Sequence, residues 1–272
     1  MNGLNYYIIA SIIITVLISL LFLILLLISR LNKIFEKKLE DRYTPIIDKL
    51  LFAILFNKEP VHKVIQSNIY QSCYHHKNFQ KTLLENIVKL HAQYEGEYNV
   101  RLEDFYHQSG LIKISFLKLK AKEWDKQCEG IRELSEMNIK AAVSDIRKCI
   151  WHDHNTLKLE ALLGLVRLKG LEGLDILNQY DQPINDWIQL SLLFELGNSD
   201  LTVVKNFFDF LNSKNETLVI FGLRLIAKFN QIENIDQIWE LEFSDASQRV
   251  KKQAMVTLAK LPALSVYNKF KA

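Results

Sequence analysis

The chain has 272 residues, 49% of them hydrophobic and 24% charged, which is enough to bury a large core in one or two domains. Its formal net charge is +3, and residues 1–42 supply +2 of this through five Lys or Arg against three Asp or Glu. The rest of the chain therefore carries no basic excess of the kind that indicates nucleic-acid binding. The low content of 9 glycines and 4 prolines disfavours β-sandwiches, β-barrels and glycine-rich phosphate loops.

The first predicted element is a membrane-spanning helix from Tyr7 to Ser29. These 23 residues contain no charge, and 17 of them are Ile, Leu, Val or Phe. At 1.5 Å per residue the helix would be about 34 Å long, enough to cross a bilayer. A cleaved signal peptide would need a basic start, a shorter apolar core and a small-residue cleavage site. The first five residues contain no Lys or Arg, and we expect a retained anchor, with residues 1–29 forming a short external N-terminus and the span.

The residues flanking the span predict its orientation. The nearby basic residues all follow it: Arg30, Lys33, Lys37, Lys38 and Arg42. The positive-inside rule then places the N-terminus outside and the body in the cytoplasm, as a single-pass protein of the inner (cytoplasmic) membrane.

A stripe of small polar residues runs along one face of the predicted span. Ser11, Thr15 and Ser19 recur every four residues. Small residues let membrane helices approach closely, and hydroxyl groups can hydrogen-bond across the interface, so the stripe is a candidate helix–helix contact. The alternative is that each hydroxyl bonds back to a carbonyl of its own helix.

Residues 30–56 are predicted to form juxtamembrane helices. We expect the first to continue from Arg30 to Arg42 and to be limited by Pro45. Ile46 to Phe56 is too short to span again, and is expected to be a buried helix or, alternatively, an interfacial one. Residues 57–114 are expected to form a membrane-proximal helical cap, whose fold the sequence pattern does not define.

Residues 115–272 contain a helical repeat. Five apolar segments can be superposed on their last apolar residues, which are separated by steps of 31, 28, 33 and 32 residues: Met137, Leu168, Leu196, Phe229 and Leu261. Six positions before each anchor stands a large apolar residue: Ile131, Leu162, Leu190, Leu223 and Met255. Seven positions before, the residue is small in four of five cases: Gly130, Ala161, Gln189, Gly222 and Ala254. These offsets mark one buried helix face on which the small residue allows a close helix approach.

Second helices are predicted between these segments, at about 139–150, 172–180, 201–212 and 235–242. Two helices in each unit of about 30 residues are typical of an α-solenoid. The predicted fold is therefore all-α, with one N-terminal transmembrane helix followed by a solenoid of about four to five helix pairs.

Two of these segments carry a family resemblance. The sequences NTLKLEALLGLVRLKG (155–170) and SQRVKKQAMVTLAKLP (247–262) resemble the first helix of bacterial HEAT repeats. In both, a polar start precedes a helix with a small residue at its centre and Leu near its end. The resemblance covers roughly residues 115–263 and implies an armadillo-type α-solenoid, with one degenerate pair where Gln189 replaces the small residue.

A second resemblance concerns residues 94–137, which are similar to the membrane-proximal part of membrane-anchored HEAT-repeat proteins of Bacteroidota-type bacteria. The matching residues are Tyr94, Gly96, Leu102, Tyr106, Gly110, Leu111, Leu117, Leu119, Trp124, Gly130, Ile131 and Met137. Such proteins accompany envelope glycosyltransferases of the polysaccharide-synthase type, so the resemblance implies a protein partner of that kind.

The most suggestive motif for chemistry is WHDHN (151–155). A His-x-His pair can bind zinc, but a closed site needs four ligands and a catalytic site three with water. In the repeat, this motif falls at a junction before a first helix, where polar side chains cap free N–H groups. We therefore expect Asp153 or Asn155 to be a cap and His152 and His154 to be its loop neighbours.

No other residue pattern predicts catalytic, cofactor-binding or metal-binding residues. The sequence lacks the G-x-S-x-G, P-loop, GxGxxG and HExxH motifs. Cys73, Cys128 and Cys149 form no CxxC pair and are expected to be reduced and buried. The carboxylates of the pairs Glu103/Asp104 and Glu133/Glu136 are expected on solvated faces.

One basic cluster stands out in the body: Lys113, Lys118, Lys120, Lys122 and Lys126. The simpler interpretation is a solvated face balanced by neighbouring acids. The alternative is contact with anionic lipid or an acidic partner.

These patterns predict a non-enzymatic scaffold or adaptor. Its span from Tyr7 to Ser29 would fix it in the membrane, and its cytoplasmic HEAT-like solenoid would bind a protein, which the resemblance implies is a membrane glycosyltransferase of envelope polysaccharide synthesis. We expect no metal, cofactor or nucleic acid. The alternatives are a HEAT-like lyase or other modifying enzyme with a site on the concave face, and a structural element that self-associates through Ser11, Thr15 and Ser19.

Overall fold

The computed structural model describes residues 2–180, 182–197 and 206–261, except for the side chains of residues 2–6, 8, 10, 11 and 36. This part of the chain is helical and contains no strand, which confirms the all-α class. The chain divides into two compact units, Met1–Leu111 and Ile112–Ala272.

The first unit begins with a single long helix, α1 (Asn2–Leu55), which contains Pro45 in its interior. The prediction that Pro45 limits the helix is therefore wrong. A proline inside a helix costs about 3 kcal/mol. Beyond it, however, α1 buries Ile47, Leu50 and Ile54 at 5% exposure or less, and each such side chain contributes about 1.5–3 kcal/mol. Tertiary packing thus outweighs the hydrogen bond that Pro45 removes.

The N-terminal half of α1 has the opposite character. From Ile12 to Ile28, its large apolar side chains are 45–68% exposed. An 18-residue window there has a mean hydropathy of 3.2, and none of it is buried. Within the described residues, α1 is the one helix long and apolar enough to cross a membrane.

The remaining helices of the first unit pack around the C-terminal part of α1. They are α2 (Val61–Gln66), α3 (Asn68–Tyr74), α4 (Lys77–His91) and α5 (Glu97–Gln108). α1 contacts both α4 and α5, and α4 contacts α5. Tyr70 packs edge-on against Phe79 and Phe105, with ring centroids 6.2 and 6.0 Å apart, at the centre of this core. Arg101 of α5 donates from Nη1 to the carbonyl of Ile54 at 3.4 Å, where the C-terminal end of the α1 dipole favours a cation.

The second unit consists of nine described α-helices and three 3₁₀ segments. The α-helices are α6 (Leu111–Leu119), α7 (Trp124–Glu136), α8 (Val143–Cys149), α9 (Asn155–Lys169), α10 (Asp186–Gly197), α11 (Phe208–Leu211), α12 (Glu216–Lys228), α13 (Ile235–Phe243) and α14 (Gln248–Lys260). The 3₁₀ segments are Lys140–Ala142, Gly170–Gln179 and Ile232–Asn234. Each of the five superposed sequence segments falls on one helix: α7, α9, α10, α12 and α14.

The predicted second helices differ more from the structure. The segment predicted as a helix at 172–180 lies in the 3₁₀ segment Gly170–Gln179. Gly170, with φ of 59°, ends α9, and a Cβ added at Gly173 would lie 2.5 Å from the carbonyl oxygen of Leu165. The two glycines thus turn this segment tightly back onto α9. Of the predicted helix at 201–212, residues 201–205 lie outside the described part, and α11 covers four residues of the rest.

Small residues bring helices together as the repeat predicts. A Cβ at Gly130 of α7 would lie 2.5 Å from the backbone nitrogen of Leu119 on α6, and one at Gly222 of α12 would lie 2.7 Å from Cβ of Phe210 on α11. Ala161 and Ala254 have no exposed surface. Among the five helices that carry the superposed segments, α7 packs on α9, α9 on α10, and α12 on α14.

Candidate functional site

Charged side chains connect successive helices of the second unit. Arg132 of α7 forms a bidentate pair with Glu160 of α9, with Nη2 2.9 Å from Oε2 and Nε 3.3 Å from Oε1. Arg224 of α12 reaches α10, where its Nη2 lies 2.9 Å from Asp186 and its Nη1 2.8 Å from Oε1 of Gln189. Bidentate guanidinium contacts of this kind fix the register of neighbouring helices.

Arg167 on α9 is the centre of the largest of these clusters. It pairs with Glu195 of α10 at 2.9 Å and lies 3.7 Å from Glu136 and 3.6 Å from Glu160. Burial alone would lower the pKa of Arg167, but its hydrogen bonds to Glu195 and the nearby negative charges more than offset this and raise the pKa. The guanidinium is therefore held as a cation between three carboxylates.

Glu133 departs from the prediction of a solvated face. It is a buried residue that accepts a hydrogen bond from Ser115 Oγ at 2.7 Å and forms an ion pair with Lys118. Burial raises the pKa of Glu133 despite these contacts. Glu136, also expected on a solvated face, is half-buried and lies 3.7 Å from Arg167 of α9.

The lysine cluster is only partly available to a ligand. Lys118 is half-buried between Glu133 and Glu129, the latter at 3.1 Å, and Lys126 pairs with Glu123 at 3.0 Å. The other three are exposed and form no ion pair with any described residue: Lys113, Lys120 and Lys122.

The histidine motif lies at the start of α9, but with a different cap from the one predicted. His154 is the N-cap residue and makes no side-chain capping bond, so the expectation that Asp153 or Asn155 caps the helix was wrong. The ring of His154 instead stacks on Trp124, with centroids 3.7 Å apart at 14°. Its backbone N–H donates to Nδ1 of His152 at 3.0 Å. Stacking on Trp124 therefore fixes His154 at the cap position.

No group of three or more His, Cys, Asp or Glu side chains in the described ranges could hold a metal ion. All three cysteines are free thiols, and Cys128 and Cys149 are buried as expected, whereas Cys73 is half-buried. In the membrane-helix stripe, Thr15 and Ser19 lie at exposed positions of α1, and the side chain of Ser11 lies outside the described residues.

A groove between α10, α12 and α14 is the main feature that the sequence analysis missed. It consists of two adjoining cavities of about 540 Å³ each, both of which are lined by Arg224, Gln253 and Val256. One cavity extends towards Asp186 and the other towards Leu190. Together they form one continuous depression that follows α10.

Exposed apolar side chains lie on two of the helices that form this groove, and Leu190 and Val256 among them line it. On α10, Trp187, Leu190 and Phe194 follow one another at helical spacing and are 69%, 57% and 71% exposed. On α14, Val256 is 40% exposed and Met255 is 46% exposed. A protein surface rarely leaves such an apolar row uncovered unless it binds something.

The repeat alignment predicted that Leu190 and Met255 face the core, and both predictions are wrong. On α10, Gln189 stands where the other helices have a small residue. It is 2% exposed, and its Nε2 donates to the carbonyls of Ile184 and Thr217 at 2.9 and 3.1 Å. Because this larger side chain fills the space between α10 and α12, the two helices approach less closely and Leu190 is left at the groove between them. Met255 lies on α14, which is the last described helix and packs only against preceding helices in that part of the chain.

A signal for this surface does exist in the sequence. The segment WIQLSLLFEL (187–196) has apolar residues on more sides than one buried face can use. It also follows the shortest step between anchors, 28 residues. An apolar excess in a degenerate repeat therefore marked α10 as unusual.

The charges around the groove are mainly positive. Among the described residues that line it, the one acid is Asp186, which is paired with Arg224. Four further basic residues line it, all exposed and without an ion pair to any residue the structure describes: Lys228, Arg249, Lys252 and Lys260. The groove thus combines an apolar wall with an uncompensated cationic rim.

Comparison with known proteins found no matching family model, no similar curated protein and no similar solved structure.

Proposed function

We propose that this protein is a membrane-anchored, non-enzymatic adaptor whose second unit binds a protein partner. The observation that carries the proposal is the exposed apolar row of Trp187, Leu190 and Phe194 beside a groove with a cationic rim. Leu190 lines the groove, and the exposed aromatic rings of Trp187 and Phe194 lie on the same face of α10. Large aromatic and aliphatic side chains of this kind are the usual anchors of protein recognition.

The second unit is proposed to be a HEAT-like α-solenoid. Its support is the sequential packing of α7 on α9 and α9 on α10, together with the ion pairs between these helices about one repeat apart. Stacked helix pairs of this type present an extended surface, which suits an adaptor.

The anchor is proposed to be the N-terminal half of α1, with the N-terminus outside and the body in the cytoplasm at the inner membrane. The exposed apolar side chains from Ile12 to Ile28 support a lipid environment. The basic residues after this stretch support the orientation. A membrane-impermeant maleimide should label an Asn5→Cys variant in intact cells, and Cys73 only after permeabilisation. Labelling in the reverse order would overturn the orientation.

A membrane glycosyltransferase of envelope polysaccharide synthesis is the partner that the family resemblance implies and the first to test. The tagged full-length protein is purified from mildly solubilised membranes, and the bound proteins are identified by mass spectrometry. A version lacking residues 1–42 is run beside it, since it keeps Tyr43 and the buried part of α1 that follows.

Enrichment of one membrane protein in near-equal amount supports the adaptor. Its retention by the truncated version assigns the contact to the body, and its loss assigns the contact to the membrane helix. Absence of any enriched protein from both versions would contradict the proposed function.

A further inference from the structure

The groove of the second unit lies along α10. The α10 residues that line it run from Asp186 to Leu193, eight residues or about 12 Å of helix. Leu190 belongs both to the cavity and to the exposed row with Trp187 and Phe194. On the opposite wall, Val256 of α14 lines both cavities. About two turns of a bound helix could therefore place one apolar face between these walls.

The rim of the groove selects the charge of such a helix. Lys228 and Lys260 line the cavity near Leu190, and Arg249 and Lys252 line the cavity near Asp186. Asp186 is already neutralised by Arg224 at 2.9 Å. A bound helix with acidic flanks would gain four cationic neighbours, whereas a basic helix would meet uncompensated repulsion.

The C-terminal segment of the chain does not have the charge expected of a ligand for this groove. The 11 residues after Leu261 include Lys269 and Lys271 and no Asp or Glu. Their charge has the same sign as the rim, so they do not complement it.

We infer that the groove between α10, α12 and α14 binds an acidic amphipathic helix of the protein partner. Its apolar side chains pack against Leu190 and Val256, and its carboxylates pair with the surrounding lysine and arginine side chains. This inference rests on the proposed adaptor function and specifies the chemistry of its partner.

The test uses the purified full-length protein in lipid nanodiscs and two fluorescent peptide probes. One peptide is a helix of about 18 residues, about 27 Å long, with Leu along one face and Glu on both flanks. The other has Lys in place of every Glu. Binding is measured by fluorescence anisotropy. The Lys252→Glu/Lys260→Glu variant reverses two exposed rim charges. The matched control is Lys122→Glu/Lys140→Glu, which makes the same change in net charge at exposed lysines outside the groove lining.

The expected result is binding of the acidic peptide and not of the basic one. The Lys252→Glu/Lys260→Glu variant should bind the acidic peptide about tenfold more weakly and gain binding of the basic peptide, while the control keeps the wild-type preference. A Leu190→Ser variant should also weaken binding of the acidic peptide, which separates apolar docking from attraction by charge alone.

Three kinds of result would overturn the inference. The first is a peptide measurement in which the acidic peptide does not bind, or binds equally to wild type and the rim variant. The second is loss, in the rim variant, of binding to phosphatidylserine vesicles but not to the peptide, which assigns the basic residues to lipid. The third is a concentration-dependent dimer that the rim variant abolishes and the peptide does not displace, which assigns the groove to a second copy.

The two proposals fail separately. If a membrane protein co-purifies equally with wild type and the rim variant, the adaptor function stands and the groove is not its contact. If the acidic peptide binds but no membrane protein co-purifies, the groove binds an acidic helix and the proposed adaptor function is wrong.

Discussion

Arg167 of α9 and Glu195 of α10 form a bidentate ion pair, in which Nε lies 2.9 Å from Oε1 and Nη2 lies 3.0 Å from Oε2. The two residues are 28 positions apart, one repeat step, and the same spacing separates Arg132 from Glu160. Arginine–glutamate pairs therefore recur between consecutive first helices of the second unit, where they supplement apolar packing.

Removal of Arg167 should destabilise this part of the second unit. In an Arg167→Met variant, Glu136, Glu160 and Glu195 would face one another without their shared cation. Loss of one member of a partly buried charge cluster costs about 3 kcal/mol. Amide protons of α9 and α10 that exchange through local unfolding should then exchange about a hundredfold faster.

Glu195→Gln is the informative comparison, because Arg167 would still face Glu136 at 3.7 Å and Glu160 at 3.6 Å. Its effect on exchange should be clearly smaller. Equal exchange rates in Arg167→Met and wild type would show that the cluster does not hold these helices together.

A methyl group at Gly130 should also destabilise the second unit, through backbone crowding. The added Cβ would lie 2.5 Å from the Leu119 nitrogen and 2.8 Å from the Ser115 carbonyl oxygen. Since both contacts are backbone atoms of α6, the helices must move apart, at a cost of about 1–3 kcal/mol. The free energy of unfolding of Gly130→Ala, measured by urea titration in detergent, should fall accordingly.

Gly197→Ala provides the matched control. There the nearest atom is the terminal Nζ of Lys228, at 2.7 Å, which can rotate away. This variant should leave the free energy of unfolding unchanged or raise it by up to about 1 kcal/mol, because alanine is the better helix former. If Gly130→Ala behaves in the same way, α6 and α7 do not require the close approach.

The features that the sequence predicted correctly depend on local patterns. The all-α class and the positions of α7, α9, α10, α12 and α14 follow from apolar periodicity within each segment. The close approaches at Gly130 and Gly222 follow from a small residue at a constant offset. Each of these signals is contained within one helix or one repeat.

The features that the sequence did not predict depend on distant contacts. α1 continues through Pro45 because helices α4 and α5 cover its next turns. Leu190 is exposed because the large side chain of Gln189, which bonds to the carbonyl of Thr217 28 residues away, keeps α10 and α12 apart. The apolar excess of residues 187–196 marks α10 as unusual, but no local pattern encodes these contacts, so the groove itself is seen only in the assembled helices.

Alkylation should distinguish the three thiols. Burial raises the pKa of Cys128 to about 11, and the nearby charge of Glu160 adds to this effect. Burial also raises the pKa of Cys149. Because the thiolate is the nucleophile and only about 0.1% of Cys128 is thiolate at about pH 8, its alkylation would be slow even if the reagent reached it. Cys73 is less buried and should react first with iodoacetamide.

The labelled peptides are quantified by mass spectrometry at several pH values. The labelling rate of Cys128 should keep rising as the pH increases towards 11, because each rise in pH increases the fraction of Cys128 present as thiolate. In urea, the three thiols should react at similar rates. Rapid labelling of Cys128 near neutral pH in the folded protein would contradict its burial beside Glu160.

The exposed face of α10 can be tested by comparing two leucines at the same repeat position. Leu162 of α9 is 1% exposed, whereas Leu190 of α10 is 57% exposed. Leu162→Ala should lower the free energy of unfolding by about 2–5 kcal/mol, because it leaves a cavity in the core. Leu190→Ala should change it by about 0.5 kcal/mol or less, as for other surface substitutions.

Urea titrations of both variants, followed by circular dichroism in the same detergent, measure the difference. A large loss of stability in Leu190→Ala would mean that the side chain is covered in the folded protein and that the groove is closed. A small loss, combined with weaker binding of the acidic peptide by the same variant, would mean that Leu190 serves recognition and not folding. That separation of stability from binding is what distinguishes a docking surface from an imperfectly packed core.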